Sequence, residues 1–362
     1  MRVFLVAPEG LPIPVDRGGS VQIYLEKLFV NVKQSADLQV SLISPGRTKI
    51  HESLHSPIDE RDQTQYRAGV QKLIEQLSPD VVQIDNRPDF AMQLRQLLYA
   101  KRIVLNLHST TFLQERHIAY PIARQILRQA DAVVCNSQYL QATVARQFQL
   151  TASDWHPYVI YPGVDANVFA RPVEHGRSYA KSTLHILCAG RIIPQKGVLV
   201  LVQAVRQLLR MGVQTELTIV GRSPAWAKAY EKKIQQEMRD LPVHWTRGVQ
   251  PQEMPAYYWQ ADLFVFPSQW DEAFGLVNLE AFAAGVPVVA SALGGIPEMV
   301  TPNCGVLVYQ YAKPLAFAQA IADLWAQPDL FYDLRIGAKA RALEFSWTGC
   351  AQRFEALYLR LG

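Results

Sequence analysis

The sequence predicts an α/β protein with two doubly wound, parallel-sheet domains. Short runs rich in Val, Ile and Leu alternate with longer segments of helical periodicity, which is the pattern of parallel strands covered on both faces. This alternation stops once, in the polar segment 170–182, and then resumes as a second series. A length of 362 residues also suits two domains of ordinary size. We therefore expect two sheets, each with its own helices.

The first half begins with the apolar run 3–7, which Pro8 and Glu9 end. This run is too short for the core of a signal peptide, so we interpret it as a buried first strand. Further strands are predicted at 38–43, 81–85, 103–108, 132–136 and 159–161. The intervening helices are predicted at 20–33, 89–100, 118–129 and 138–148.

The second half repeats the alternation after the polar segment, which we interpret as an interdomain linker. Its strands are predicted at 184–189, 217–220, 243–245, 263–266, 287–290 and 305–308. Its helices are predicted at 198–211, 226–239, 276–284 and 315–325. The tail 346–361 also has helical apolar spacing.

Composition excludes several classes of protein. The net charge of +4 divides into +1 before residue 170 and +3 after it, which does not favour a nucleic-acid partner. The four cysteines lie far apart, which disfavours a zinc site or a disulfide framework and fits a reducing cytoplasm. No apolar run approaches 18 uncharged residues, so no membrane span is expected.

The strongest functional signal lies in segment 266–290, which predicts a strand, a loop, a helix and a second strand. Ligands of doubly wound sheets bind beyond the carboxyl ends of the strands, where Glu272 lies. Gly275 precedes the helix, so the first amides of that helix would be unpaired and would bind an anion. Glu280 follows among apolar neighbours and needs a partner. A ribose diol could supply it; a solvated glutamate or an arginine pair is the alternative.

A second signal, Gly190-Arg191 followed by Lys196-Gly197, opens the second half. Two cations between a strand and a helix suit a diphosphate, because arginine supplies a planar fork and lysine a mobile charge. Gly197 lets the chain turn closely into the helix. The alternative is a solvated loop that ends in a glycine.

Three further segments carry weaker signals. The pair Gly18-Gly19 permits a close approach of the backbone to a phosphate or sugar, although ordinary capping by Ser20 would also account for it. His108 closes a predicted strand and would face the ligand edge, although a lone histidine is more often structural. Segment 294–298, a Gly-Gly turn followed by a carboxylate, reads as an ordinary loop when taken alone.

Together these segments resemble the family 4 retaining glycosyltransferases of the GT-B fold. The matches follow the family's order over nearly the whole chain, and they include the Gly18-Gly19 pair, His108, Asn136-Ser137, Tyr161-Pro162-Gly163-Val164-Asp165, Gly190-Arg191 with Lys196-Gly197, Glu272 with Glu280, and Gly294-Gly295-Ile296-Pro297-Glu298. Segment 11–26 is also similar to spore-coat-associated members from Bacillus-type bacteria. Ala273 departs from the family, whose members commonly carry proline there.

The resemblance implies a role for each matching residue. Arg191 and Lys196 would bind the donor diphosphate and offset the charge of the leaving group. Glu272 would contact the donor sugar, Glu280 the ribose hydroxyls, and His108 the outer sugar hydroxyls and the acceptor. Further donor contacts would come from Gly18, Gly19, Val249, Phe274, Gly275, Leu276 and Val277.

The resemblance also implies the organisation of the enzyme. Residues 1–170 with 347–362 would form an acceptor-binding domain, and residues 171–346 a nucleotide-sugar-binding domain. The last helix would cross back to the first domain, and the ligand would bind in the cleft between the two Rossmann-like domains.

The implied reaction moves a sugar from a nucleoside diphosphate, with a UDP-sugar favoured, to an acceptor hydroxyl with retention. The acceptor would be a carbohydrate or a lipid-linked or protein-linked glycan in bacterial surface or spore polysaccharide synthesis. We see no DxD-type metal motif in the cleft segments, so neither a metal nor another cofactor is expected.

Three other functions and one further partner remain open. The fold also suits a nucleotide-sugar 2-epimerase or a non-catalytic sugar-binding protein, although the paired cation and glutamate motifs oppose both. A catalytically silent coat protein is opposed by the intact motif residues. The enzyme is expected in the cytoplasm. A basic face of the first half near the apolar positions of helix 118–129 could touch the inner membrane face, and its cations are Arg87, Arg95, Lys101, Arg102, Arg116, Arg124 and Arg128. The favoured alternative for that helix is an ordinary solvated face.

Overall fold

The computed structural model describes residues 1–14, 19–59, 62–97, 101–172 and 182–362. The chain divides into two compact units, Met1–Gly163 with Trp347–Gly362 and Val164–Ser346. Each unit contains one parallel β-sheet with its helices, which confirms the predicted fold class.

The first unit is built on a seven-stranded sheet of order β3-β2-β1-β4-β5-β6-β7. Its strands are β1 Arg2–Val6, β2 Gln39–Pro45, β3 His55–Ile58, β4 Val81–Asp85, β5 Arg102–Leu107, β6 Ala132–Cys135 and β7 Pro157–Val159. Its helices are α1 Ser20–Asn31, α2 Gln63–Leu77, α3 Pro88–Leu97, α4 Tyr120–Gln129, α5 Gln138–Gln147 and α13 Trp347–Leu361.

The central strands of this sheet are buried along their whole length. Val3 pairs with Val40 of β2 on one side and with Val81 of β4 on the other. All five residues of β4 are buried, including the polar Gln83 and Asp85. The direction of the strand order reverses between β1 and β4, and in doubly wound sheets this reversal point marks the ligand edge.

The second unit is built on a six-stranded sheet of order β10-β9-β8-β11-β12-β13. Its strands are β8 Leu184–Ala189, β9 Thr215–Val220, β10 Val243–Thr246, β11 Leu263–Phe266, β12 Val288–Ser291 and β13 Gly305–Val308. Its helices are α6 Ala166–Phe169, α7 Val198–Arg210, α8 Lys228–Glu237, α9 Met254–Gln260, α10 Leu276–Ala283, α11 Pro314–Trp325 and α12 Pro328–Leu343. The strand order reverses between β8 and β11, which places Arg191 and Glu272 just beyond the two strands at that point.

The C-terminal helix α13 packs on the first unit. The ring of Tyr24 in α1 meets Trp347 at 5.5 Å and Phe354 at 6.4 Å between centroids. The hydroxyl of Tyr358 donates a hydrogen bond of 2.6 Å to Oε1 of Gln83 in β4. Aromatic packing and a buried polar contact therefore both tie this helix to the first sheet.

The second unit begins earlier than the sequence suggested. Asp165 caps α6 by accepting a hydrogen bond from the amide of Val168, and Trp259 donates to the carbonyl of Phe169. These contacts hold α6 on the second unit, so the change of unit falls between residues 163 and 164 rather than at 170. Most of the expected linker, residues 173–181, lies outside the described part of the chain.

Candidate active site

A small recess lies beyond β8 and β11 in the second unit. Its wall includes Gly190, Arg191, Lys196 and Phe266. Arg191 is exposed. The amine of Lys196 lies 5.2 Å from the centroid of the Phe266 ring. The recess therefore offers positive charge beside an aromatic wall, at the edge where doubly wound sheets bind ligands.

The turn at Gly197 presses this loop against the segment that follows β11. Gly197 has a φ of +68°, and a Cβ atom there would lie 1.8 Å from the carbonyl oxygen of Pro267. Only glycine fits both the left-handed backbone and this close approach. As a result, Lys196 is carried next to the loop that contains Glu272.

Lys196 and Glu272 form an ion pair. The Nζ atom of Lys196 lies 2.5 Å from Oε1 of Glu272, and the Ser268 hydroxyl donates to the same oxygen at 3.0 Å. Glu272 is only 8% exposed. The pair and the serine fix the carboxylate, while the lysine keeps donors free for a second acceptor because an ammonium carries three.

The Gly-Gly turn of segment 294–298 supports the Glu272 loop. The amide of Gly295 donates a 2.7 Å hydrogen bond to the carbonyl oxygen of Glu272. Gly294 has a φ of +60°, and a Cβ atom there would lie 2.2 Å from the same oxygen. The motif that read as an ordinary loop thus holds the backbone of a candidate site residue in place.

Helix α10 begins directly after this loop. Gly275 precedes it with a φ of +107°, and no side chain caps the helix start. Gly275, Leu276 and Val277 are half-buried, whereas Phe274 is buried and packs its ring 5.9 Å from that of Phe345. The uncapped first turn carries the positive end of the helix dipole, which suits an anionic group.

Glu280 lies in α10 and has a partner that the sequence reasoning did not name. The hydroxyl of Tyr258 donates a 2.8 Å hydrogen bond to its Oε2 atom. Burial raises the pKa of Glu280 to about 7, and the bond from Tyr258 opposes this rise. The carboxyl group is thus bound to a tyrosine, a third possibility beside the solvated and arginine-paired alternatives.

Val249, one of the expected donor contacts, lies in the segment that follows β10. Gly248 has a φ of +74°, and a Cβ atom there would lie 2.0 Å from Nε of Arg222. The Arg222 guanidinium therefore lies against the backbone of Gly248, and Val249 beside it is half-buried. Arg247 instead forms an ion pair with Glu231 at 2.7 Å.

The first unit places His108 immediately after β5. Its Nε2 atom lies 2.8 Å from Oδ1 of Asp85, and its backbone amide donates to Oδ1 of Asn86 at 3.2 Å. The Tyr24 ring meets the imidazole edge to face at 4.5 Å between centroids. The side chain of His108 is 10% exposed, so it is held on several sides.

Sequence reasoning missed Asp85. Its signal was present, because a carboxylate that ends an otherwise apolar central strand needs buried partners. Two of those partners, Asn106 and His108, lie in or directly after the neighbouring strand β5, however, and the spacing of residues along the chain does not reveal them.

The glycine pair before α1 is described only in part. Gly19 has a φ of +126° and stands at the N-cap of α1, where no side chain makes a capping hydrogen bond. Ser20 is the first helical residue and not the cap, so the capping interpretation of Ser20 is wrong. Gly18 lies outside the described residues.

The structure therefore assembles the predicted residues in two groups. Arg191 and Lys196 line the recess of the second unit, Glu272 is paired with Lys196, and α10 with Glu280 follows the Glu272 loop. His108 and Gly19 belong to the first unit.

Helix α4 carries Arg124 and Arg128, two of the cations that the sequence analysis considered for contact with a membrane surface. Its apolar residues Ala123, Ile126 and Leu127 are buried in the first unit. Nε of Arg124 donates to the carbonyl of Phe148 at 3.0 Å, and Arg128 pairs with Asp154 at 3.0 Å. Two of its cations thus already have protein partners.

Two features are absent from the described residues. None of the helices there is long and apolar enough to cross a bilayer. Within the same ranges, no group of three or more His, Cys, Asp or Glu side chains is placed to hold a metal ion.

Two family models match successive parts of the chain. The model "Glycosyltransferase Family 4" matches residues 34–168, and "Glycosyl transferases group 1" matches residues 177–341. Among curated relatives, "Putative glycosyltransferase YtcC" of Bacillus subtilis is 27% identical, over 99% of this chain and 92% of that protein. "Spore coat protein SA" of the same organism is 25% identical, over 99% of each chain.

Solved structures of low sequence identity share the fold. Sucrose-phosphate synthase from Thermosynechococcus elongatus is similar with a TM-score of 0.84 and 22% identity, over 100% of this chain and 99% of that one. Anabaena HepE, in complex with UDP and glucose, has a TM-score of 0.74 and 20% identity, over 99% of both chains. These structures show the GT-B fold, and the two family models, which together span most of the sequence, show that the chain belongs to the family 4 glycosyltransferases.

Proposed function

We propose that this glycosyltransferase moves a sugar from a nucleoside diphosphate, with UDP favoured, to an acceptor hydroxyl, with retention and without a metal. The observation that carries the proposal is the ion pair of Lys196 with Glu272 in the second unit. Arg191 precedes Lys196 in the loop after β8, and the loop that contains Glu272 leads directly into α10. Two cations and a helix start are a strong site for a diphosphate. The UDP in the HepE structure favours the uracil nucleotide.

The roles of the residues follow from their charge and position. Lys196 and Arg191 would stabilise the diphosphate as it leaves, together with the amides of Gly275, Leu276 and Val277. Glu272, held by Lys196 and Ser268, would accept hydrogen bonds from the donor sugar. Glu280 would accept from the ribose hydroxyls, with Phe274, Val249 and the Gly18-Gly19 pair completing the donor contacts.

In the proposed step, the bond between the anomeric carbon and the phosphate oxygen breaks with its electrons leaving on the phosphate. The acceptor oxygen bonds to the anomeric carbon on the same face, and its proton passes to the departing phosphate. No covalent intermediate is needed on Glu272, whose Oε1 atom already forms the ion pair with Lys196. The chain supplies fixed charge, which acts without reorganisation during the reaction.

We assign His108 to the acceptor side and the outer sugar hydroxyls. The acceptor would be a carbohydrate or a lipid-linked or protein-linked glycan of the bacterial surface or spore, as the similarity to "Spore coat protein SA" suggests. A cytoplasmic location fits the four cysteines, all of them buried and free, since disulfides are rare in reducing compartments. Contact with the inner membrane face is not part of this proposal, because Arg124 and Arg128 of α4 have protein partners.

A thermal-shift screen against UDP-, GDP-, ADP- and dTDP-sugars tests donor binding. A ligand at about 100 times its Kd stabilises the folded state by about 2.7 kcal/mol, which for a unit of this size raises Tm by roughly 5–10 °C. We expect the largest rise with a UDP-sugar. A rise with none of the four would contradict the proposal.

Transfer itself is tested by mass and NMR analysis of products from the best donor, with and without EDTA. We expect an α-linked product from an α-linked donor, and equal rates in EDTA. An inverted product, a metal requirement, or conversion of the donor to its 2-epimer would each refute part of the assignment.

The variant Lys196→Ala tests the proposed role of Lys196 in catalysis. We expect turnover to fall by about 100-fold or more, because the variant removes charge that stabilises the leaving group. Lys232→Ala, on helix α8 of the same unit, is the control and should retain full activity. Equal turnover rates in the two variants would show that Lys196 has no role in the reaction.

A further inference from the structure

We propose that Asp85 is a positioning residue for His108, at the end of a hydrogen-bonded chain that starts on the C-terminal helix and fixes the imidazole with its proton on Nε2. The catalytic consequence rests on the proposed function, whereas the protonation pattern does not.

The carboxylate of Asp85 is fully buried at the end of β4 and accepts from three donors. Oδ1 lies 2.8 Å from Nε2 of His108 and 2.7 Å from Nδ2 of Asn106. Oδ2 lies 2.8 Å from Nε2 of Gln83. A buried charge with this many donors is satisfied, so the carboxylate holds its partners firmly.

The direction of each hydrogen bond follows from the chain of partners. The carboxylate of Asp85 accepts, so the amide nitrogen of Gln83 faces it, and the amide oxygen of Gln83 is left to accept from the Tyr358 hydroxyl at 2.6 Å. An ionised carboxylate only accepts hydrogen bonds, so the nearer imidazole nitrogen must carry a proton. The proton of neutral His108 therefore sits on Nε2, and Nδ1 is left as an acceptor.

The charges around the imidazole support this assignment. Tyr24 of α1 and Tyr358 and Cys350 of α13 are the titratable groups that face the network from the packed helices. Burial raises the pKa of each of them, that of Cys350 to about 12, so they remain neutral near pH 7. Asp85 is then the charged group that faces His108 within this network.

A fixed tautomer determines what His108 can do. With Nε2 committed to Asp85, Nδ1 can accept a hydrogen bond from a hydroxyl but cannot donate one in the neutral state. This suits a residue that orients an acceptor hydroxyl, or an outer hydroxyl of the donor sugar, through its proton. Helix α13 takes part because Tyr358 orients Gln83, which orients Asp85.

The test is NMR of the full-length protein with ¹⁵N-labelled histidine at pH 8, in which the two ring nitrogens report their protonation. His108→Asn identifies the His108 signals by their loss. We expect the Nε2–H form in the wild type and a mixture of forms in Asp85→Asn. Asp131→Asn is the control, because Asp131 is a carboxylate of the same unit that instead binds Arg102 and the amide of Ile103.

The Nδ1–H form in the wild type, or an unchanged His108 pattern in Asp85→Asn, would overturn the proposal. Tyr358→Phe keeps Asp85 and removes only the first hydrogen bond, so it remains informative if the carboxylate variant fails to fold. We expect a smaller shift of the His108 signals in that variant. None of these NMR measurements requires transfer activity. A failure of the proposed function would therefore be distinguishable from a failure of this proposal.

The catalytic consequence is tested by measuring turnover. Asp85→Asn should lower kcat by about ten-fold or more while leaving the KM for the donor nearly unchanged, because proton positioning near the acceptor typically contributes at least this much. A purely structural role for Asp85 would lower the fraction of folded enzyme and leave the His108 pattern of that fraction intact.

Discussion

The protonation of Glu280 should make donor binding depend on pH. Its pKa is raised from 4.5 to about 7, chiefly because burial disfavours the charged form, while Tyr258 donates to the carboxylate and opposes the rise. Only the ionised carboxylate can accept from both ribose hydroxyls. Donor affinity should therefore increase as the pH rises through 7.

The size of the effect follows from this pKa. The ionised fraction of Glu280 rises about ten-fold between pH 6 and pH 8, so the Kd for a nucleotide sugar should fall about ten-fold. The diphosphate of an intact nucleotide sugar is esterified at both ends and does not titrate in this range. UDP-glucose is therefore a better probe than UDP.

Stability without donor should move in the opposite direction. Between pH 4.5 and 7 the folded state keeps a proton on Glu280 that the unfolded state releases. This contribution is therefore fully present below pH 4.5 and is lost as the pH rises through 7. It amounts to at most about 3 kcal/mol. Glu280→Gln removes the titration, so the difference between variant and wild type isolates it.

Isothermal titration calorimetry at pH 6, 7 and 8, with wild type and Glu280→Gln, measures the affinities. Urea unfolding of both proteins from about pH 4 to 8 measures stability, because this range spans the raised pKa and the ordinary one. We expect weak binding by the variant at every pH. A wild-type Kd that is constant from pH 6 to 8, or an equal pH dependence in the variant, would refute the reasoning.

Three further outcomes are expected. Gly197→Ala should lower the free energy of unfolding in urea by well over 1 kcal/mol, because the added Cβ would clash with the carbonyl oxygen of Pro267. Gly212 has a similar left-handed backbone but no neighbour within 4 Å, so Gly212→Ala should lower it by only about 1 kcal/mol. Equal losses in the two variants would contradict the close approach at Gly197. His55 accepts from the Ile50 amide, and burial lowers its pKa to about 4; its contribution to stability should be lost as the pH falls from 6.5 to 4, and His55→Gln should flatten that part of the urea-unfolding profile. Co-sedimentation with anionic vesicles should be weak, because two cations of α4 have protein partners; strong, salt-sensitive binding would favour the membrane contact.

The sequence predicted most of the fold because the buried strands are continuous apolar runs. Strands β4 and β8 lie at their predicted bounds. Helix α2 and strand β3 were missed for a physical reason. Only three residues of α2 are buried, Tyr66, Val70 and Ile74, so its apolar stripe is thin. Strand β3 is a four-residue edge strand that contains a proline. The Asp62 cap of α2 was a usable signal.

The site residues whose role follows from their own type and their neighbours in sequence were predicted. The contacts between residues that are distant in sequence were missed. Lys196 and Glu272 stand in loops whose residue types alone suggest an anion and a sugar. The pairing of Glu280 with Tyr258, and of Asp85 with His108, joins residues 22 and 23 positions apart through packed elements. Tyr358 reaches Gln83 across 275 positions, a contact that only the folded first unit creates.

The placement of α13 has a consequence for the order in which the protein is completed during synthesis. The second unit is contiguous and closes on itself where the amide of Val164 bonds to the carbonyl of Phe345, so all of its contacts exist once residue 346 has emerged from the ribosome. The first unit must wait for α13, which supplies the partners of Tyr24 and Gln83. The half that is made first is therefore finished last, and until then its apolar face is open to chaperones and to misfolding.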